Sequence, residues 1–135
     1  MLKDPVFVYV EDDPLSQEVM AMLLQSLQVA QFTIFADSTN FLERIEALSP
    51  KPNFFFLDVH VQPHSGFDML SMLRSHPDFQ GAIVVALTAS VMSDEVQRLK
   101  TAGFDGIIPK PIDVDRFPAI LETLKRGDRV WRIVG

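Results

Sequence analysis

Apolar residues fall along this chain in two rhythms that take turns. Continuous runs at 6–10 (VFVYV), 32–35 (FTIF), 54–57 (FFFL), 82–87 (AIVVAL) and 106–108 (GII) have the length and the β-branched or aromatic content of strands. Between them, apolar residues recur at helical spacing. After Asp13-Pro14, which reads as an N-cap followed by proline at the first helical position, Leu15, Val19, Met22, Leu23 and Leu27 form one face. Ser38 is expected to cap a second helix carrying Phe41, Leu42, Ile45 and Leu48 up to Pro50. A loop with Pro63 and Gly66 leads into a third, marked by Phe67, Leu70 and Leu73 and ended before His76-Pro77. Ser93 is expected to cap a fourth, with Asp94 and Glu95 placed well against the helix dipole and Gly103 closing it. The fifth carries Phe117, Ile120, Leu121 and Leu124. Its Pro118 is tolerated if Asp115 is the N-cap, because the third helical residue has no intrahelical N–H bond to lose.

Five strands alternating with five helices predict an α/β fold, the flavodoxin-like doubly wound (βα)5 with a five-stranded parallel sheet in order 2-1-3-4-5. The run Phe54-Phe55-Phe56-Leu57-Asp58 suits the middle of such a sheet, buried on both faces and ending on a lone carboxylate. Ligands bind at the carboxyl ends of strands in open α/β sheets, at the point where strand order reverses, here between strands one and three. That topology brings Glu11 and Asp12 beside Asp58. Two carboxylates about 4 Å apart repel by about 4 kcal/mol at an effective dielectric near 20, so the cluster calls for a neutralising partner. Oxygen ligands without any cysteine suit a hard divalent cation such as Mg²⁺ with waters and a phosphate. Thr88 and Lys110, ending strands four and five, point into the same crevice with a hydroxyl and a compact positive charge, completing a site for holding a phosphoryl group. His60 and His64 lack the cysteines or helical spacing of a transition-metal site. Met20, Met22, Met69, Met72 and Met92 read as core and groove filler.

Composition narrows the class. The 135 residues make one domain, 47% apolar, with no run approaching the roughly 18 apolar residues of a membrane span. The start, Met-Leu-Lys-Asp-Pro, leaves no room for a signal peptide, and the absence of cysteine fits a reducing cytoplasm. A net charge of -6 speaks against binding nucleic acid through its phosphates. The last residues, 127–135, alternate charge with apolar bulk and are read as a short tail.

Four ordered motifs carry a resemblance: Val10-Glu11-Asp12-Asp13-Pro14; Leu57-Asp58-Val59 with Gly66 eight residues past the Asp; Leu87-Thr88-Ala89; and Lys110-Pro111. Together they resemble the receiver domain of two-component response regulators, over residues 1–126, with 127–135 as a tail and no effector domain following. The resemblance implies that Asp58 accepts a phosphoryl group from a histidine kinase or histidine phosphotransfer protein. It implies that Asp12 ligates Mg²⁺ directly together with Asp58, that Glu11 acts through water, and that the backbone carbonyl of His60 supplies another ligand. Thr88 would hydrogen-bond the phosphoryl oxygen and Lys110 pair with it, while His60 and Ser90 would set the route of hydrolytic water. The output would be a change of protein contacts, with an unnamed partner or a homodimer.

The sequence departs from that pattern at Gln62, where the family's usual proline is displaced to Pro63, and at Ile107, where an aromatic switch residue is common. Three other readings compete. A haloacid-dehalogenase-like phosphatase would need a second acid two residues after Asp58, where His60 stands. A flavodoxin would place a phosphate-cradling loop of bare N–H groups where this chain has three acids. A receiver-like module that only binds partners would have no use for the phosphoryl site.

Overall fold

The computed structural model describes residues 5–131; the readings of residues 1–4 as free of a leader and of 132–135 as the end of the tail lie outside the described residues. The chain runs β1 (Phe7–Val10), α1 (Pro14–Ser26), β2 (Phe32–Phe35), α2 (Phe41–Glu46), β3 (Phe54–Asp58), α3 (Gly66–Arg74), β4 (Ile83–Thr88), α4 (Ser93–Ala102), β5 (Gly106–Pro109), α5 (Phe117–Lys125). All strand pairs are parallel and the order is β2-β1-β3-β4-β5, as the alternation of elements predicts.

The strand period of two divides the sheet's side chains between two cores. Val8, Val10, Phe55, Leu57, Val84, Ala86 and Ile107 face one way, onto Phe41 and Ile45 of α2, Leu70 and Leu73 of α3 and Leu99 of α4. Phe7, Tyr9, Phe54, Phe56, Val85, Leu87 and Ile108 face the other, onto Met20, Leu23 and Leu24 of α1 and Phe117, Leu121 and Leu124 of α5. On this second face the rings of Phe7, Phe54 and Phe56 pack at centroid distances of 4.7 to 5.8 Å, and Phe56 also meets Phe117 at 6.0 Å. β3 is buried along its whole length, so its last residue has no freedom to move apart from the sheet.

Four local expectations are corrected. The buried stripe of α1 is Met20, Leu23 and Leu24, while Leu15 and Met22 are exposed, because the helix meets the sheet one residue round from the face that spacing alone selects. Ser38 does not cap α2: it is fully buried, donates its hydroxyl to His64 O and accepts from His64 N–H, both at 2.7 Å, and so ties two loops together. The cap position belongs to Asn40, in the left-handed region with no side-chain bond. Ser93 is the first helical residue of α4, behind an N-cap Met92 that makes no side-chain bond; Met92 is exposed, not groove filler. The N-cap position of α5 belongs to Arg116, with no side-chain cap bond, rather than to Asp115, and it is Asp113 that closes the turn before the helix. Its Oδ1 accepts from Asp115 N–H and Arg116 N–H at 3.1 and 3.2 Å, and its carbonyl accepts from Phe117 N–H at 3.0 Å. Pro118 lacks the N–H that would fuse this turn with the helix, so α5 begins at Phe117.

Asp13 caps α1 as expected, accepting from Ser16 N–H at 3.1 Å, and Gly103 closes α4 at φ 108°. α3 begins with a capping box, Ser65 and Asp68, that a Ser-x-x-Asp reading would have found. Residues 128–131 return to the sheet, where Val130 bridges Gly106, so part of the tail belongs to the domain.

Candidate functional site

The register of the sheet builds the site. β1 and β3 pair Val10 with Leu57, so the next step sets Glu11 beside Asp58. Alternation keeps Glu11, Asp58 and Lys110 in step with Tyr9, Phe56 and Ile108, and all three continue the same face of the sheet beyond its carboxyl edge. Carboxylate oxygens of Glu11, Asp12 and Asp58 lie within 4.8 Å of one another. Glu11 and Asp58 are buried and Asp12 is exposed.

Each buried acid is held. Glu11 accepts from the Tyr9 hydroxyl at 2.8 Å and from Asp13 N–H at 3.3 Å, and its backbone carbonyl accepts from Gln17 Nε2 at 2.6 Å. Asp58 Oδ1 accepts from His60 N–H at 2.9 Å. Lys110 Nζ stands between them, 3.0 Å from Glu11 and 3.2 Å from Asp58 Oδ2. Its own N–H donates to Thr88 O at 2.9 Å, which fixes the root of the side chain on β4. Thr88, buried, accepts from Ser90 N–H through Oγ1 at 3.1 Å. Gly66 lets the start of α3 press against the loop after Asp58: a Cβ there would sit 2.9 Å from Val59 Cα and 3.2 Å from Asp58 O. Its N–H donates to Val59 O at 3.0 Å.

Electrostatics separates the two buried acids. Burial, and then the neighbouring Asp58, push Glu11 from 4.5 up to about 7, against the Tyr9 and Lys110 hydrogen bonds. Burial also opposes the charge on Asp58, but the hydrogen bond with Glu11, the His60 N–H and the Lys110 ammonium together hold it below the usual carboxylate range. Lys110 is raised: burial lowers it, and the Glu11 and Asp58 carboxylates more than reverse that. Of the two, Glu11 therefore takes up a proton first as pH falls, and Asp58 is the acid that holds its negative charge longer. Tyr9 is raised by burial and by the adjacent Glu11, so it stays a hydroxyl donor.

The structure brings Glu11, Asp12, Asp58 and Lys110 together at this edge of the sheet, while Thr88 ends the neighbouring strand with its hydroxyl bonded to Ser90 N–H rather than to the cluster. Sequence reasoning missed Tyr9 and Gln17, which hold Glu11 from below and from α1. Tyr9 sits inside an apolar run and nothing in its spacing sets it apart from core. His60 contributes its N–H to Asp58, and its ring is exposed. Ile107 is buried, 1% exposed, in the core on the α4 side.

A doubly wound parallel sheet in order 2-1-3-4-5, with a lysine-bridged acidic cluster at its switch point, defines the class of flavodoxin-like α/β domains. Within that class, residues 7–122 match the model of the response regulator receiver domain, and the chain belongs to that family. It is 26% identical over 117 residues to the polar-differentiation response regulator DivK of Brucella anthropi, covering 86% of this chain and 89% of that one. It is 26% identical over 119 residues to an uncharacterized 76.5 kDa protein of Thiocystis violacea, of which it spans only 17%. In fold it matches the receiver domain of the sensor histidine kinase PA1611 of Pseudomonas aeruginosa, solved with a magnesium ion in its active-site cleft. That match has a TM-score of 0.77 at 22% identity, over 92% of this chain and 98% of that one. Among the described residues no helix is long and apolar enough to cross a membrane.

Proposed function

We propose that the chain is a phosphoryl acceptor in a two-component phosphorelay. A carboxylate oxygen of Asp58 takes the phosphoryl group from the phosphohistidine of a histidine kinase or histidine phosphotransfer protein, and the new charge switches protein contacts. The observation that carries this reading is the Asp58 carboxylate, fixed at the end of a wholly buried strand with Lys110 Nζ 3.2 Å from Oδ2. An Asp58 oxygen bonds to phosphorus as the P–N bond to the donor imidazole breaks, and the electron pair of that bond stays on the imidazole nitrogen. The product is an acyl phosphate on Asp58.

The other groups divide the work. Lys110 offers its positive charge to the oxygens that arrive with the phosphorus. Thr88 already accepts from Ser90 N–H, which leaves its O–H to donate to a phosphoryl oxygen. The three clustered acids are an all-oxygen donor set in a chain without cysteine and fit Mg²⁺, as the magnesium in the PA1611 receiver supports. Asp12 and Asp58 would hold the ion directly, Glu11 through water, and the His60 carbonyl would add a further ligand. When bound, Mg²⁺ neutralises the acids and the phosphoryl oxygens. His60 and Ser90, flanking the acceptor, control access of the water that removes the phosphoryl group. Buried Ile107 has no ring to carry the change outward, so the face of α4, β5 and α5 completes its response with a partner or a second copy. The receiver unit carries residues 128–131 back onto its β5 edge and works in the cytoplasm.

Acetyl phosphate with Mg²⁺ tests the reading. The intact mass should rise by one phosphoryl group in the wild type and not in Asp58→Asn. Equal labelling of the two would remove the assignment.

A further inference from the structure

β1 is buried along its whole length, and its side chains are apolar except at one atom. Phe7, Val8 and Val10 are hydrocarbon, while Tyr9, the sole tyrosine of the chain, carries a hydroxyl into the core at 0% exposure. Phenylalanine would make the same edge contact with the Phe56 ring, so packing gives no reason for the oxygen. A hydroxyl taken out of water has to be hydrogen-bonded, and this one donates to Glu11 Oε1 at 2.8 Å.

The Glu11 carboxylate is held from three directions: by Tyr9 from the core, by Asp13 N–H at 3.3 Å from its own loop, and by Lys110 Nζ at 3.0 Å from the end of β5. Gln17 Nε2 pins its backbone carbonyl at 2.6 Å. A carboxylate offers about four lone-pair sites, so about three of them are already in use. The other two acids are freer. Asp12 is exposed, and Asp58 accepts from His60 N–H through Oδ1 and from Lys110 through Oδ2, which leaves a lone pair on each oxygen. To bond a cation directly, Glu11 would have to turn from Tyr9 and strand a buried hydroxyl. A water can bridge Glu11 to the ion with that hydroxyl still paired.

We propose that Tyr9 is a positioning residue of the cation site: its hydroxyl holds the Glu11 carboxylate toward the core, at one water's remove from the ion, so that of the three acids only Asp12 and Asp58 bond the ion directly. This rests on the reading of the acidic cluster as a Mg²⁺ site. Whether Glu11 bonds the ion itself decides how many waters the ion keeps, a quantity that a hydroxyl with a merely structural role would leave alone.

The probe is Mn²⁺, which shares the octahedral oxygen preference of Mg²⁺ and whose bound waters can be counted by pulsed electron paramagnetic resonance in D₂O. The full chain is compared as wild type, Tyr9→Phe, Gln17→Ala and the double variant Tyr9→Phe/Glu11→Met, with amide NMR spectra recording that each is folded. Tyr9→Phe keeps the ring and its contacts. In that variant the bound ion should lose about one water, because Glu11 is released to become a direct ligand. Gln17→Ala loosens the backbone of Glu11 but leaves the Tyr9 bond, and should keep the wild-type count. The double variant has no carboxylate to release and should keep it too. An unchanged count in Tyr9→Phe would overturn the proposal. So would the same loss in Gln17→Ala or in the double variant, since the effect would then not run from the hydroxyl through Glu11. A wild type that binds no Mn²⁺ would overturn the metal reading itself, and this proposal with it.

Discussion

Glu11 at the end of β1 and Asp58 at the end of β3 look alike and are treated oppositely. Both are buried, both sit on the same face of the sheet, and both touch the one ammonium of Lys110. Yet Glu11 is pushed up to about 7 while Asp58 is held low. Glu11 is fully buried, and its donors only partly offset the loss of solvent. Asp58 keeps a slight opening, and the His60 N–H and Lys110 act on it directly. A pair that must shed one charge sheds it at β1. The strand that keeps its charge is the one fixed by aromatic packing, which is what a nucleophilic carboxylate requires.

The comparison can be broken most severely from beneath. Phe56→Ala removes the ring that touches Phe7, Phe54, Tyr9 and Phe117, and should lower unfolding free energy by about 3–5 kcal/mol in urea titrations. Lys110→Met should cost about 1–3 kcal/mol at pH 8 and distinctly less at pH 6, because without the ammonium the two acids hold their shared proton more tightly. Equal losses at both pH values would mean that Lys110 does not balance the pair.

Titration sharpens the contrast without disturbing the packing. The raised pKa of Glu11 contributes stability that is fully present below 4.5 and is lost as pH rises through about 7. The lowered pKa of Asp58 works the other way, contributing above 3.8 and failing as pH falls below that value. Without a divalent cation, thermal stability should therefore decline as pH rises through neutrality. A cation must displace the Glu11 proton, so Mg²⁺ affinity should weaken by about tenfold for each pH unit below about 7. Glu11→Gln should flatten that dependence in calorimetric titrations. The smallest effect belongs to Tyr9→Phe, which deletes the 2.8 Å bond to Glu11; a loss of about 1 kcal/mol is expected, with the Glu11 carboxyl raised further as seen by ¹³C NMR.

The sheet and the site were legible in the chain for one physical reason. Buried parallel strands are continuous apolar runs, and where such a run stops on Asp58, Thr88 or Glu11 the polar residue has to lie at the sheet's edge. Helix starts were harder to read. Ser38 and Ser93 have the chemistry of caps, but a hydroxyl that can bond a distant loop, as Ser38 does with His64, is taken by tertiary structure. The face of α1 was misread because Leu15, Met22, Met20 and Leu24 are all apolar, and only the angle at which the helix meets the sheet decides which are buried. The return of the tail to β5 could not be read at all, since it depends on the open N–H of Ile107, an edge that exists only once the strand order is known.

The central claim is that charge is kept at Asp58 so that Asp58, not Glu11 or Asp12, takes the phosphoryl group. Protein treated with acetyl phosphate and Mg²⁺, then reduced with borohydride and digested, locates the acyl phosphate, because reduction turns a phosphorylated aspartate into homoserine. The account predicts homoserine at position 58 and unmodified Glu11 and Asp12. Modification at either of those residues, with position 58 left as aspartate, would contradict it.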